Sequence, residues 1–223
     1  MRIKINKHIL LVLLAIALFI SSTYTNNINS EAKSAYNTYM ANYLKYFKAK
    51  KYKKAKTYIK KMKTTRDTSL KKMSKKQKKA YLNKVKQYRF DMFGADTDDG
   101  YLDGYFLADL NGDKNPELII RHGHCEADFK TEIFTYKNGK AARVYSGFSC
   151  HISYYAYPGV GVVAVKAHAG YCIVNLISMK KGKIITKSYG SQLNDPDLCM
   201  PQNFLYNHIN YKDSRQVDLS DLK

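Results

Sequence analysis

Between Tyr36 and Tyr88 the apolar side chains recur at three- and four-residue steps, whereas after Asp91 they gather into short β-branched and aromatic runs cut by turn signals. In the first region Tyr36, Tyr39, Met40, Tyr43, Leu44 and Phe47 mark one face of a helix, and Tyr52, Ala55, Ile59 and Met62 continue the period. Beyond a TTRDTS break, Ser74 and Gln77 stand at capping-box spacing and predict a third helix burying Tyr81, Leu82, Val85 and Tyr88. These helices are expected to pack on one another as a small hairpin or bundle.

The second region predicts strands at Tyr105–Leu110, Glu117–Arg121, Thr131–Tyr136, Ala141–Tyr145, Ile152–Tyr157, Val160–Ala167, Cys172–Met179 and Lys183–Tyr189. The turns KNGK, YPGVG and KKGK join neighbours too closely for crossover connections, so the pairing should be antiparallel. The fold class is therefore α+β: an N-terminal Lys-rich helical hairpin or bundle, then an antiparallel β-meander. Residues 33–90 form the helical segment, 91–103 an acidic linker and 104–190 the β-domain. Residues 191–223 form an irregular tail with a short helical piece around Gln202–His208.

The extreme N-terminus differs from both regions. Arg2, Lys4 and Lys7 precede an apolar run from Ile9 to Ile20, and a polar stretch follows with the small residues Ser30 and Ala32. That is the pattern of a cleavable secretion signal over residues 1–32. The run is short for a helix crossing a hydrocarbon core of about 30 Å. The expected destination is extracellular, with cell-wall association.

Charge sharpens the boundary near residue 90. Residues 33–89 hold 19 lysines, Arg66 and Arg89 against Asp67 alone, whereas residues 90–223 are nearly neutral. One segment thus accounts for essentially the whole net charge of +20. Such a surface is drawn to polyanions, which outside a cell means teichoic-acid-like envelope polymers or the membrane surface. Specific nucleic-acid reading is disfavoured, because arginine and a glycine-flanked aromatic platform are lacking. With 20 tyrosines and no tryptophan, half-buried rings with wet hydroxyls are expected.

Cys125, Cys150, Cys172 and Cys199 all lie in the β-region. In an oxidising compartment they imply two disulfides, with three connectivities open and Cys125–Cys150 with Cys172–Cys199 preferred. Each bridge would contribute about 3 kcal/mol by restricting the unfolded chain.

The sharpest chemical pattern is LADLNGDKNPELII, which sets Asp109, Asn111, Asp113, Asn115 and Glu117 at alternate positions between two strands. Calcium takes six to eight oxygens at about 2.4 Å, and alternating acid and amide side chains in a tight loop supply them. An EF-hand loop is excluded, because Lys114 and Ile120 occupy its glycine and glutamate positions. The stretch resembles the DxDGDGxPEL strand-loop-strand motif of FG-GAP or VCBS-type repeats. With CEADF and FTYKNGK, the chain resembles exported proteins of Gram-positive bacteria more broadly. The resemblance implies calcium as cofactor, held by side-chain oxygens of Asp109, Asn111, Asp113 and Glu117 and the carbonyl of Asn115. It departs at Lys114, where the motif usually has glycine. A full propeller would need more blades than these strands supply.

Three other groupings carry chemistry-bearing side chains. Asp96, Asp98, Asp99 and Asp103 form an acidic stretch expected to contact the lysine helices. His122, His124 and Cys125, with His151, His168 and Cys172, suit zinc or copper in residue type but match no common spacing. SGFSC is not a nucleophile elbow, and Glu126 with Asp128 shows no cleft for paired-carboxylate chemistry. The expected function is a secreted, non-catalytic calcium-binding or surface-associated binding protein. The alternatives are a hydrolase site collecting Glu126, His122 or His124 and His151, or a polyanion or nucleic-acid binding module.

Overall fold

In the computed structural model, residues 35–59, 61–62, 70–88, 101–193, 207–210, 213–217, 219 and 222 are described. The secretion-type segment, most of the acidic stretch and Cys199 lie outside them. The chain divides into two compact units, Met1–Thr38 and Tyr39–Lys223. Of the first unit only residues 35–38 are described, and they are helical. Everything below concerns the second.

The architecture is α+β. Helix α1 (35–48) buries Met40, Tyr43, Leu44 and Phe47, the face that the three- and four-residue period marks. It ends because Lys50 turns left-handed at φ 56°. The Lys51 N–H then reaches the Tyr46 carbonyl at 2.9 Å and the Lys50 N–H reaches that of Phe47 at 2.9 Å. That is a Schellman closure made without glycine. Helix α2 (Tyr52–Ile59) follows at once, with the Tyr52 ring edge-on to Phe47 at 5.5 Å.

Helix α3 (Lys75–Gln87) is capped by Ser74, whose Oγ accepts the Gln77 N–H at 3.2 Å. The reciprocal half of the capping box is diverted. Gln77 Nε2 instead donates to the Pro116 carbonyl at 3.4 Å, because α3 lies against a sheet rather than in solvent. α3 belongs to the β-region's core, so the helical hairpin is formed by the first two helices.

All eight expected strands are present: β1 (Tyr101–Ala108), β2 (Glu117–Gly123), β3 (Lys130–Lys137), β4 (Lys140–Phe148), β5 (Ile152–Tyr157), β6 (Gly161–His168), β7 (Tyr171–Lys180) and β8 (Lys183–Leu193). Two more, β9 (Asn207–Asn210) and β10 (Asp213–Val217), replace the expected irregular tail. Asn207 and His208 are therefore strand, and the rest of the expected helical piece lies outside the described residues. The sheets are β10-β9-β1-β2-β3-β4 and β5-β6-β7-β8, antiparallel throughout.

The central strands of the first sheet are buried on both faces. Phe106, Ala108, Ile119 and Ile133 meet Tyr154, Ala156, Val162, Ala164, Ile177 and Met179 of the second sheet. On the other face Tyr105, Leu118, Ile120 and Phe134 pack with Tyr81 and Val85 of α3 and with Leu219 and Leu222. A bulge between Leu102 and Gly104 shifts the alternation, so Leu102 and Tyr105 reach the same layer. Tyr43, Tyr81 and Tyr105 are fully buried rather than half-wet, so tyrosine does much of the work of the missing tryptophan.

β1 starts inside the expected acidic linker, and Asp103 is drawn into the sheet. Asp103 Oδ2 meets Arg121 Nε at 2.6 Å with both side chains buried, while Arg121 Nη1 donates to the Ile152 carbonyl at 2.9 Å. Asp103 thus pairs within the first sheet, and its partner Arg121 reaches the second. Asp103→Ala strands a buried guanidinium and should cost about 3 kcal/mol in urea unfolding. Asp103→Leu with Arg121→Met, which removes both charges, should recover most of that loss. An unchanged midpoint for the single variant would show the pair to be inert.

Candidate functional site

The loop 109–116 joins β1 to β2, and neighbouring elements clasp it from several directions. The Met179 N–H donates to the Leu110 carbonyl at 2.6 Å, from the end of β7. The Lys71 N–H donates to the Lys114 carbonyl at 2.7 Å, from the segment before α3. The Tyr81 hydroxyl donates to the Pro116 carbonyl at 2.9 Å.

Within this frame the acidic residues organise the turn. Asp109 is fully buried. Its Oδ1 accepts the N–H groups of Asn111 at 3.2 Å and Gly112 at 2.7 Å, and its Oδ2 accepts that of Lys114 at 2.9 Å. Asn111 Oδ1 accepts the Asp113 N–H at 2.9 Å, and Asp113 Oδ1 accepts the Asn115 N–H at 2.7 Å. Each short acid or amide side chain thus folds back onto the backbone two or more residues on. Glu117, 2% exposed, accepts the Leu110 N–H at 2.9 Å and closes the loop across its base.

Two loop residues turn left-handed, Gly112 at φ 83° and Lys114 at φ 67°. Lys114 is the position where the resembled motif usually has glycine. The backbone there has the glycine-type conformation even so, at a steric cost of about 1 kcal/mol.

The structure gathers Asp109, Asp113 and Glu117 into one electrostatic group. Burial, then the neighbouring carboxylates of Asp113 and Asp109, push Glu117 up to about 7 against the stabilising Leu110 N–H. Asn111 and Asn115 lie at the exposed rim. Among the described residues no three His, Cys, Asp or Glu side chains converge as a ready-made metal cage, because these carboxylates face N–H donors.

The histidine and cysteine grouping separates into two places. His122 is buried under α3's last turn, its ring 4.9 Å from that of Tyr88. At the sheet end remote from the acidic loop, Glu126 Oε1 meets His151 Nδ1 at 3.1 Å, and the His151 ring stacks on His168 at 4.1 Å. Asp128 caps its own turn through the N–H groups of Cys125 and His124, and its Oδ2 meets His124 Nδ1 at 2.9 Å. The hydrogen bond from Cys125 leads in holding the Asp128 carboxyl below its usual range. Of the alternative hydrolase grouping, the structure brings Glu126 and His151 together, while His122 lies against Tyr88 and His124 against Asp128. Ser149 of SGFSC is fully buried. The expected Cys125–Cys150 disulfide is also corrected: neither cysteine is bonded, one on an exposed turn and the other half-buried beyond β4. The Cys172–Cys199 expectation falls partly outside the described residues.

Sequence reasoning missed the groups that hold the loop's frame, Gln77, Tyr81 and Thr135, because they lie on other elements. It also missed Tyr88 and Arg143, which both hydrogen-bond Glu132. No local spacing signals such pairs.

Glu117 sets a pH dependence of definite sign. Its folded-state value is raised from the ordinary 4.5 to about 7, so the folded chain holds the proton more tightly. Its contribution is full below the ordinary value and is lost as pH rises through about 7, some ~3 kcal/mol in all. In metal-free buffer Glu117→Gln should flatten the fall in urea stability between about pH 5 and pH 8. Parallel falls in parent and variant would locate the effect elsewhere.

Comparison with protein-family models, curated proteins and solved structures finds no match to this chain.

Proposed function

We propose that this chain is a non-catalytic binding protein of the extracellular side, with calcium held at the loop 109–117 of its β-domain. One observation carries the reading. Asp109 and Glu117, both buried, share one short loop with Asp113, and burial first, then the charges of Asp113 and Asp109, raise Glu117. Carboxylates concentrated in this way fit a hard divalent cation, which takes oxygen donors and offsets the repulsion. Asp109, Asn111, Asp113 and Glu117 would contribute side-chain oxygens and Asn115 its carbonyl, as the motif resemblance implies.

The extracellular side follows from the secretion-type N-terminus read in the sequence, and free calcium is plentiful there. Among the described residues no helix is long and apolar enough to cross a membrane. The loop's role on this reading is to stabilise the β-domain, since it is clasped by α3 and β7 rather than open to a substrate.

Calcium at about 100 times its dissociation constant should stabilise the protein by about 2.7 kcal/mol. For a chain of this size that is a rise in Tm of roughly 5–10 °C. Asp113→Ala, an exposed position, should retain the fold and lose the shift. Absence of both binding heat and Tm shift in the intact chain would eliminate calcium.

A further inference from the structure

The hairpin of α1 and α2 carries a surface that the β-domain does not explain. Between Tyr39 and Met62 there are nine lysines, no arginine and no acidic residue. Three half-buried tyrosine rings run through this charge. Tyr46 and Tyr58 stack at 5.6 Å with an interplanar angle of 11°, and Tyr39 lies 6.4 Å from Tyr58. Ammonium groups cover the rings: Lys45 and Lys54 each lie 5.7 Å from the Tyr46 centroid, and Lys61 lies 5.6 Å from both Tyr39 and Tyr58.

We infer that this lysine-tyrosine array is the docking surface for a linear polyol phosphodiester, an anionic polymer without bases. The rings hold flexible lysine chains by cation–π attraction and so reduce the ordering required on binding. Two ammonium groups share the Tyr46 ring, and the hairpin has no carboxylate of its own to balance them. An anionic polymer would supply that counter-charge. Lysine is a compact point charge suited to successive phosphates, whereas planar bidentate recognition would call for arginine.

Two other polyanions fit less well. Reading single-stranded nucleic acid needs open aromatic faces for bases. Here Tyr46 and Tyr58 cover one another and lysines lie over the rings. Anchoring to a membrane needs apolar side chains to enter it. Among the described residues the exposed large apolar side chains are Phe148, Val160, Ile185 and Leu193, none of them on the hairpin.

The inference deepens the binding-protein reading but does not depend on calcium. The test measures binding of the purified full chain to poly(glycerol phosphate), with calcium and with chelator, over a salt series. Lys45→Gln, Lys54→Gln and Lys61→Gln together should weaken binding about a hundredfold at ~50 mM salt and reduce the salt slope by about 2. A charge-matched control with Lys180→Gln, Lys181→Gln and Lys183→Gln, on the exposed turn between β7 and β8, should weaken it less than about fivefold. Tyr46→Phe should bind like the parent, and Tyr46→Leu about threefold more weakly. Thermal melts of every variant show whether the fold is kept. Equal losses in the two triple variants, no binding by the parent, or tighter binding to single-stranded DNA or anionic vesicles would each overturn the assignment. A missing calcium response with the polymer pattern intact would remove the calcium reading and leave this one standing.

Discussion

The structure depends on one constraint, the burial of β1, β2 and β3 on both faces. Every residue of β2, from Glu117 to Gly123, is buried. A half-exposed antiparallel sheet needs only one covering layer and shows clean alternation. This one needs two. The second sheet supplies one, and α3 supplies the other through Tyr81 and Val85. At about 25 cal/mol per Å² of apolar surface, neither face can be left to water cheaply. The lysine-rich helix is thus a core element whose charge faces outward.

That constraint also determines how the loop 109–116 is held. The loop emerges from the sheet that both layers cover, so each layer has a donor at its edge. Met179 donates into the loop from one layer and Tyr81 from the other. Glu117, first residue of β2, is buried because all of β2 is buried. Its raised protonation follows from the sheet's position as much as from its acidic neighbours.

Legibility in the sequence followed the range of the physics. The eight strands from β1 to β8 were readable because alternation and the KNGK, YPGVG and KKGK turns are local signals. β9 was not: it pairs back to Gly104 and Tyr105 from about a hundred residues on, and a strand of four residues carries little pattern of its own. The face of α3 was legible in Tyr81 and Val85, but a helical period does not say whether a helix or a sheet covers it. Gln77 shows the same limit, since its spacing to Ser74 is local and its pairing with Pro116 is not. The turn between β1 and β2 was legible as a turn because its hydrogen bonds run mainly between near neighbours. The cysteines misled because counting thiols carries no geometry.

The loop's own bonding determines what a cation would change. Asp109, Asn111 and Asp113 already fix the turn by accepting backbone N–H groups, and Lys114 accepts left-handed strain to complete it. Its shape is therefore set by the chain. The charges of Asp113 and Asp109 also act on Glu117, after burial, which is the larger cause of its rise. A cation here would act chiefly on stability and on the protonation of Glu117, with little change in backbone path. The hairpin poses the opposite case, with charge of the other sign and no carboxylate to answer it. Both surplus charges lie on elements whose folds are closed by local bonds, Lys50 in one and Asp109 in the other. An ion at either place would therefore act on a turn whose path the chain already fixes.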